Sequence, residues 1–152
     1  MILRDVSHED FVWVWECRND ETTRKNSISS KIISLEEHLQ WMEESILLSE
    51  RKMMIAVEEH ERIGIIRFDV EDRDTAVISI NIAPKSRGRG YSQHMLEHLE
   101  VLIKSNYKDI RTLKANIKKE NLISIKTFTK SGFSLYEEVQ EIIILTKSLY
   151  SS

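Results

Sequence analysis

Apolar positions recur along this chain with two periods, one helical and one of two residues, and the switches between them outline its elements. Ile2 to Val6 predicts a short strand. The next run places Phe11, Val14, Trp15 and Arg18 at i, i+3, i+4 and i+7, a helical face with Ser7 or Asp10 as its cap. Trp13 and Trp15 cannot share that face, so one is expected in the core and the other along a groove or a partner surface. Asn19 to Ser30 is polar, lacks a period and reads as a loop. Ser34-Leu35-Glu36-Glu37 matches a capping box, which predicts a helix through His38, Trp41, Met42 and Ser45 to about Leu48. His38 and Trp41 are three apart and share a face of that helix.

From Lys52 the period shortens to two. Met53 to Glu58, Ile63 to Val70 (interrupted by Gly64) and Thr75 to Ala83 read as three strands joined by short charged turns. Connections that short allow only an antiparallel meander. On the third arm Ile78, Ile80 and Ile82 point to one side, and Val77, Ser79 and Asn81 to the other. A helix follows with Tyr91, Met95, Leu96, Leu99, Leu102 and Ile103 on its stripe, ending near Asn106. Ile110 to Ile117 is a strand that can lie parallel to the third arm, because a helix separates the two. Asn121 to Ser131 is a helix stopped by Gly132, and Phe133 to Glu138 with Glu141 to Lys147 form a closing hairpin. There are no repeats and no linker, so residues 1–152 read as one mixed α/β domain.

Composition narrows the function. A net charge of −3 argues against a general nucleic-acid binder, which would be strongly basic. One cysteine, Cys17, rules out an intrachain disulfide, fits a reducing compartment, and sits in an apolar-rich pattern that favours a buried structural thiol. No apolar run approaches the roughly 20 residues of a membrane span. A cytoplasmic protein with neither a nucleic-acid nor a membrane partner is expected.

Chemistry concentrates between the third strand and the long helix, in Ala83-Pro84-Lys85-Ser86-Arg87-Gly88-Arg89-Gly90-Tyr91-Ser92. A strand, a glycine-rich basic turn and a helix start form a phosphate cradle: backbone N–H groups point outward and the helix dipole favours an anion. A Walker loop would need Lys-Ser or Lys-Thr after its last glycine, and Gly90 is followed by Tyr91-Ser92. A Rossmann fingerprint would need a third glycine where Gln93 stands. His94-Met95-Leu96-Glu97-His98 matches a zinc-peptidase spacing, but both histidines flank the inward stripe, so two partly exposed helix histidines and no metal are expected.

The turn Arg87-Gly88-Arg89-Gly90-Tyr91-Ser92 resembles the pyrophosphate-loop signature of the GCN5-related N-acetyltransferases (GNAT): Arg or Gln, two residues, Gly, one residue, then Gly or Ala. Ser92 departs from the last position but is small. Asn121-x-x-Ser124-x-x-x-Phe128-x-Lys130-x-Gly132-Phe133 resembles the family's helix-to-strand signature, and the order of elements matches from Ile2 to about Lys147. The resemblance implies the GNAT fold: an α/β (α+β) architecture with a mixed sheet of about seven strands, splayed between strands 4 and 5 and flanked by about four helices. It implies acetyl-coenzyme A as donor. The backbone of Arg87, Gly88, Arg89, Gly90, Tyr91 and Ser92 would cradle its pyrophosphate. Its pantetheine would lie along Ile80, Ile82 and Ala83, with Asn121 and Ser124 beside it and Lys130 on a phosphate.

Amine acetylation needs a deprotonated amine, an oxyanion donor and an acid for the leaving thiolate. A backbone N–H near Ile82 is the expected oxyanion donor. Many relatives carry a Tyr as acid where this chain has Phe128, so Tyr136 or solvent is expected instead, with Asp69, or a water held by Ser79 and Asn81, as base. The stretch Trp15-x-x-Arg18-Asn19-Asp20 with Ser34-x-Glu36-Glu37-His38-x-x-Trp41 resembles a GNAT subset. That subset contains aminosugar-nucleotide N-acetyltransferases of the pseudaminic and legionaminic acid pathways, and spermidine and ribosomal-protein acetyltransferases. It implies a small-molecule amine as acceptor, preferably a sugar nucleotide contacted by Arg18, Asn19, His38, Trp41 and Ser79, and allows a homodimer. A protein N-terminus, a polyamine, or a non-catalytic acyl-coenzyme A-binding module are the alternatives.

Overall fold

The computed structural model describes residues 1–150, in the order β1 (Ile2–Asp5), α1 (Phe11–Asn19), α2 (Glu21–Asn26), α3 (Leu35–Ser45), β2 (Arg51–Glu58), β3 (Glu61–Glu71), β4 (Thr75–Ile82), α4 (Tyr91–Asn106), β5 (Thr112–Lys118), α5 (Leu122–Lys130), β6 (Ser134–Val139) and β7 (Ile142–Ser148). The strands pair as β1-β2-β3-β4-β5-β7-β6, and every neighbour is antiparallel except β4 and β5, which run parallel across the α4 connection. The mixed seven-stranded sheet expected from the periods is therefore present.

Alternation on the central strands builds a core on each face. Met54, Ile66, Phe68 and Ile78 pack under Met95, Leu99 and Ile103 of α4 and Phe128 of α5. Met53, Ile55 and Ile65 face the other way, under Phe11, Val14 and Cys17 of α1 and Met42 of α3. Burial, with Glu16 and Asp20 adding to it, pushes the Cys17 thiol up to about 11, an inert structural group. Gly64 lets β3 and β4 lie close: a Cβ there would sit 2.8 Å from the Asn81 carbonyl oxygen and 3.1 Å from Met95 Cε.

Most element ends fall within two residues of the sequence reading, and two departures are larger. The polar stretch expected to be a loop contains α2, so five helices flank the sheet rather than about four; Asp20 caps α2 by accepting the Thr23 N–H at 3.2 Å. Helix α3 stops at Ser45 instead of Leu48, because Ile46, Leu47 and Leu48 are all exposed and their N–H groups close tight turns back to Met42, Glu44 and Ser45.

The parallel pair is short. β4 and β5 are in register only at Thr75–Thr112, Ala76–Leu113 and Val77–Lys114. Beyond that point β4 stays with β3 and β5 stays with β7. Ile78–Ile82 and Ala115–Lys118 thus line a wedge-shaped opening in the middle of the sheet, with about 13 Å of strand on one side and about 10 Å on the other.

Candidate active site

The opening presents unused backbone groups. Ala83 N–H donates to the Ile63 carbonyl at 2.9 Å, toward β3, so strand alternation turns the N–H and C=O groups of Ile80 and Ile82 toward the opening. Directly after β4, one turn of 3-10 helix at Pro84–Ser86 leads into the glycine turn. Gly88 and Gly90 have φ of +77° and +74°, the left-handed region that favours glycine, and a Cβ at either would meet no protein atom within 4 Å. Gly90 occupies the N-cap of α4 and supplies no side chain to it, so the first N–H groups of a 16-residue helix face outward without a partner from the cap. An elongated amide chain ending in a pyrophosphate fits both features: the opening offers strand-edge donors and acceptors, and the turn offers N–H groups to an anion.

The opposite face of β4 forms the floor of a second region. Ser79 and Asn81 line a recess of about 50 Å³ with Val14 and Arg18 of α1, Trp41 of α3, and Ile65 and Arg67 of β3. A larger cavity of about 480 Å³ adjoins it under α2 and the loop to α3, sharing Arg18, Trp41 and Asn81 and adding Thr23, Lys31 and Glu37. Three guanidiniums surround Trp41: Arg18 lies 4.2 Å from the ring centroid, Arg51 5.3 Å and Arg67 5.5 Å. Arg51 is paired with Asp69 and donates to Ser45 Oγ at 2.8 Å. Arg67 Nε lies 3.1 Å from Asp69 Oδ2 without hydrogen-bond geometry, so this buried N–H has charge contact but no acceptor. Burial, with Arg67 and Arg51 adding repulsion, pushes Arg18 down to about 10, which leaves it charged at neutral pH.

His38 explains how Arg18 is held. It is fully buried, its Nε2 lies 2.7 Å from the Phe11 carbonyl oxygen, and its Nδ1 lies 2.9 Å from Arg18 Nη1. A carbonyl only accepts, so Nε2 carries the proton and Nδ1 is left to accept from Arg18. Burial foremost, and the charge of Arg18, hold His38 below its usual 6.5 against the opposing bond to Phe11, which keeps the imidazole neutral.

A sheet opened between parallel strands, with a glycine turn leading from one of them into a helix, matches what the sequence itself shows: residues 1–134 fit the acetyltransferase (GNAT) domain. The chain belongs to this family. GNAT enzymes are acetyltransferases, and their donor is acetyl-coenzyme A. The chain is 25% identical over 134 residues to the acetyltransferase PseH of Campylobacter jejuni, covering 88% of this chain and 83% of that protein. The crystal structure of C. jejuni N-acetyltransferase PseH superposes with a TM-score of 0.75 at 17% identity, over 97% of this chain and 96% of that one. Spermidine N-acetyltransferase from Vibrio cholerae, in complex with CoA and spermine, gives a TM-score of 0.88 at 13% identity over 97% and 95% of the two chains. AAC(6')-Ib in complex with ribostamycin and coenzyme A gives 0.85 at 16% over 96% and 92%. At these identities the structural likenesses establish the fold.

Against the GNAT frame, the residues expected from the sequence fall into distinct places. Ile80, Ile82 and the turn Arg87–Ser92 gather at the opening, although the Tyr91 ring packs into the core and only its backbone is available. Ala83 does not belong there, since its N–H is bonded to β3. Asn121 caps α5, its Oδ1 accepting the Ser124 N–H at 3.3 Å, so it orients that helix beside the opening. Lys130 lies at the far end of α5, about 13 Å along the axis, and does not form one patch with Asn121 and Ser124.

In the recess Arg18, Trp41, Ser79 and Asn81 meet, but one side of the Trp41 ring carries Arg18, and Arg51 and Arg67 lie near it. Asn19 does not face the cavity: it exchanges two bonds with Ile33, at 2.7 and 2.9 Å, and with Trp15 Nε1 on the same carbonyl pins the loop to α1. Trp13 packs against the core at Val14's layer and under Arg62. His38 touches Arg18 and is too deep to touch a ligand. Asp69 has one carboxylate oxygen on Arg51 and the other on Arg67, so both face guanidiniums. Tyr136 is 69% exposed on the edge strand β6, with β7 and β5 between it and the opening, which removes it as the acid within one chain. Phe128 is buried edge-on to Phe133 at 5.0 Å and offers no hydroxyl. His94 and His98 lie exposed on α4, with His98 Nδ1 on the His94 carbonyl. Arg51 and Arg67 were missed; the alternation that turns Ile65 inward also turns Arg67 and Asp69 inward, and that signal was available.

Proposed function

We propose that this GNAT enzyme transfers the acetyl group of acetyl-coenzyme A to the amine of a small molecule that also carries negative charge, a nucleotide-linked 4-amino-deoxysugar being the preferred acceptor. The backbone of Ile80 and Ile82 would pair with the pantetheine, Arg87–Ser92 would cradle the pyrophosphate, and α5, set by Asn121, would close the far side. Acetyl-coenzyme A supplies the acetyl group as a thioester. The Ile82 N–H turns into the opening and would stabilise an oxyanion there. Ser79 and Asn81 hold the acceptor amine, or a water that takes its proton, on the other side of the same strand. Tyr136 stands on the outer strand and Phe128 has no hydroxyl, so in this reading protonation of the thiolate falls to solvent.

The observation that carries the acceptor class is the charge of the recess. Asp69 offsets one of the three arginines around Trp41, and Arg18 and Arg67, which line the recess, remain in excess. At about 6 Å and an effective dielectric of roughly 20 to 50, each uncompensated charge is worth about 1–3 kcal/mol to a ligand of either sign. That attracts a diphosphate and repels a polyamine. The PseH likeness supports the same reading. The test is thiol release with a panel of nucleotide-linked 4-amino sugars, spermidine, an aminoglycoside and a peptide N-terminus. The sugar nucleotide should give the highest kcat/KM, and Arg67→Gln should raise its KM about 10-fold without changing acetyl-coenzyme A affinity. Faster turnover of spermidine overturns the acceptor reading, and cofactor binding without thiol release on any acceptor overturns the enzymatic one.

A further inference from the structure

The residue that begins the cofactor loop is held from the acceptor side of the molecule. Arg87 donates through Nη2 to Asp20 Oδ2 and, at 2.9 Å, to Thr23 Oγ1. Asp20 is the N-cap of α2, Thr23 lies in its first turn, and Thr23 also lines the larger acceptor cavity. At the other end of α2, Lys118 Nζ donates to the Lys25 carbonyl at 2.9 Å. Lys118 is the last residue of β5, and Arg87 follows β4 by one short turn. Helix α2 is therefore fastened to both lips of the opening.

Both bonds from Arg87 use one nitrogen. Nε and Nη1 have no protein acceptor among the described residues, and the side chain is 35% exposed. An anion that competed for Arg87 would occupy its fork; Asp20 instead takes one corner and leaves the remainder facing outward. We propose that Asp20 is a positioning residue for coenzyme A, orienting Arg87 so that the free edge of its guanidinium meets the pyrophosphate. This rests on reading Arg87–Ser92 as the pyrophosphate cradle. An arginine fixed before the ligand arrives loses less rotamer freedom on binding, which is how a carboxylate that never touches the cofactor raises its affinity.

Asp20→Asn tests this cleanly, because Asn caps a helix as well as Asp does, so α2 keeps its start while the charge is lost. Binding of acetyl-coenzyme A is measured by calorimetry, and kcat/KM is compared with acetyl-coenzyme A and with acetyl-pantetheine, which lacks the pyrophosphate. The expected result is an affinity for acetyl-coenzyme A about 5- to 20-fold weaker, unchanged kcat/KM with acetyl-pantetheine, and no further loss when Arg87→Gln is added. Unchanged or tighter binding, an equal loss with both donors, or an additive loss with Arg87→Gln overturns the assignment. Gly90→Val separates the two levels, since it puts a β-branched residue at a φ of +74° in the cradle. If it abolishes binding while Asp20→Asn has no effect, the cradle stands and Asp20 falls. If it leaves binding intact, the cradle itself is wrong.

Discussion

Replacing His38 should change the acid side of the pH–rate profile through Arg18, which it holds and which the proposed function assigns to the acceptor. In the folded protein His38 is neutral, with Nε2–H on the Phe11 carbonyl and Nδ1 accepting from Arg18. Protonation converts Nδ1 into a donor facing a guanidinium, which removes the bond and adds repulsion. Because the folded pKa lies below the usual 6.5, the neutral-state contribution is complete above about pH 6.5 and is lost as pH falls from there through the folded value. The acceptor amine must itself be deprotonated, so log kcat/KM for the acceptor rises with slope 1 on the acid side whatever His38 does. Titration of His38 adds a second proton, and the slope should steepen toward 2 at the acid end. His38→Gln can donate to Phe11 and accept from Arg18 without titrating; it should keep the slope at 1 and remain within about threefold of the parent at pH 8. His38→Leu leaves Arg18 Nη1 without an acceptor and the Phe11 carbonyl with its helix bond alone, a cost of roughly 1–3 kcal/mol, which for a domain of this size lowers Tm by about 2–12 °C and, under the proposed function, raises the acceptor KM. The assay is thiol release from pH 5 to 9 on one acceptor for all three proteins. A steep acid limb that persists in His38→Gln refutes the reasoning.

Two further outcomes test the placement of particular residues. Gly64→Ala would put its Cβ 2.8 Å from the Asn81 carbonyl oxygen, a backbone atom that cannot swing aside, and should cost about 1–3 kcal/mol in denaturant unfolding; a neutral result would mean that β3 and β4 lie farther apart. Tyr136→Phe should leave kcat within twofold, since the ring is on the outer edge of the sheet; a loss of tenfold or more would return Tyr136 to the site, contributed by a second chain.

The facing of β4 and the glycine turn were legible in the sequence because their determinants are local. The alternation from Val77 to Ile82 sets which groups of β4 face α4 and which face α1, and Gly88 and Gly90 supply the two left-handed residues of the turn within one short stretch. Nothing beyond neighbouring residues is needed to read them. Helix α2 escaped for the opposite reason: Glu21–Asn26 buries only Thr23, so it carries no apolar period, and it is held by Arg87 and Lys118 from distant parts of the chain. The recess around Trp41 is non-local throughout. His38 sits on the face predicted for it, yet its role depends on the Phe11 carbonyl arriving beside Nε2, which only the docking of α1 on α3 brings about. Arg67 reads as an inward polar residue on β3, but its weight in the recess comes from Arg18 and Trp41 meeting it from two helices. If the recess receives the acceptor as proposed, acceptor choice can change through side chains on α1, α3 and β3 while the loop after β4 stays as it is. One fold is shared by proteins named for spermidine, for aminoglycosides and for PseH, so under the proposed function it is the charge around Trp41, rather than the fold, that bears on the acceptor.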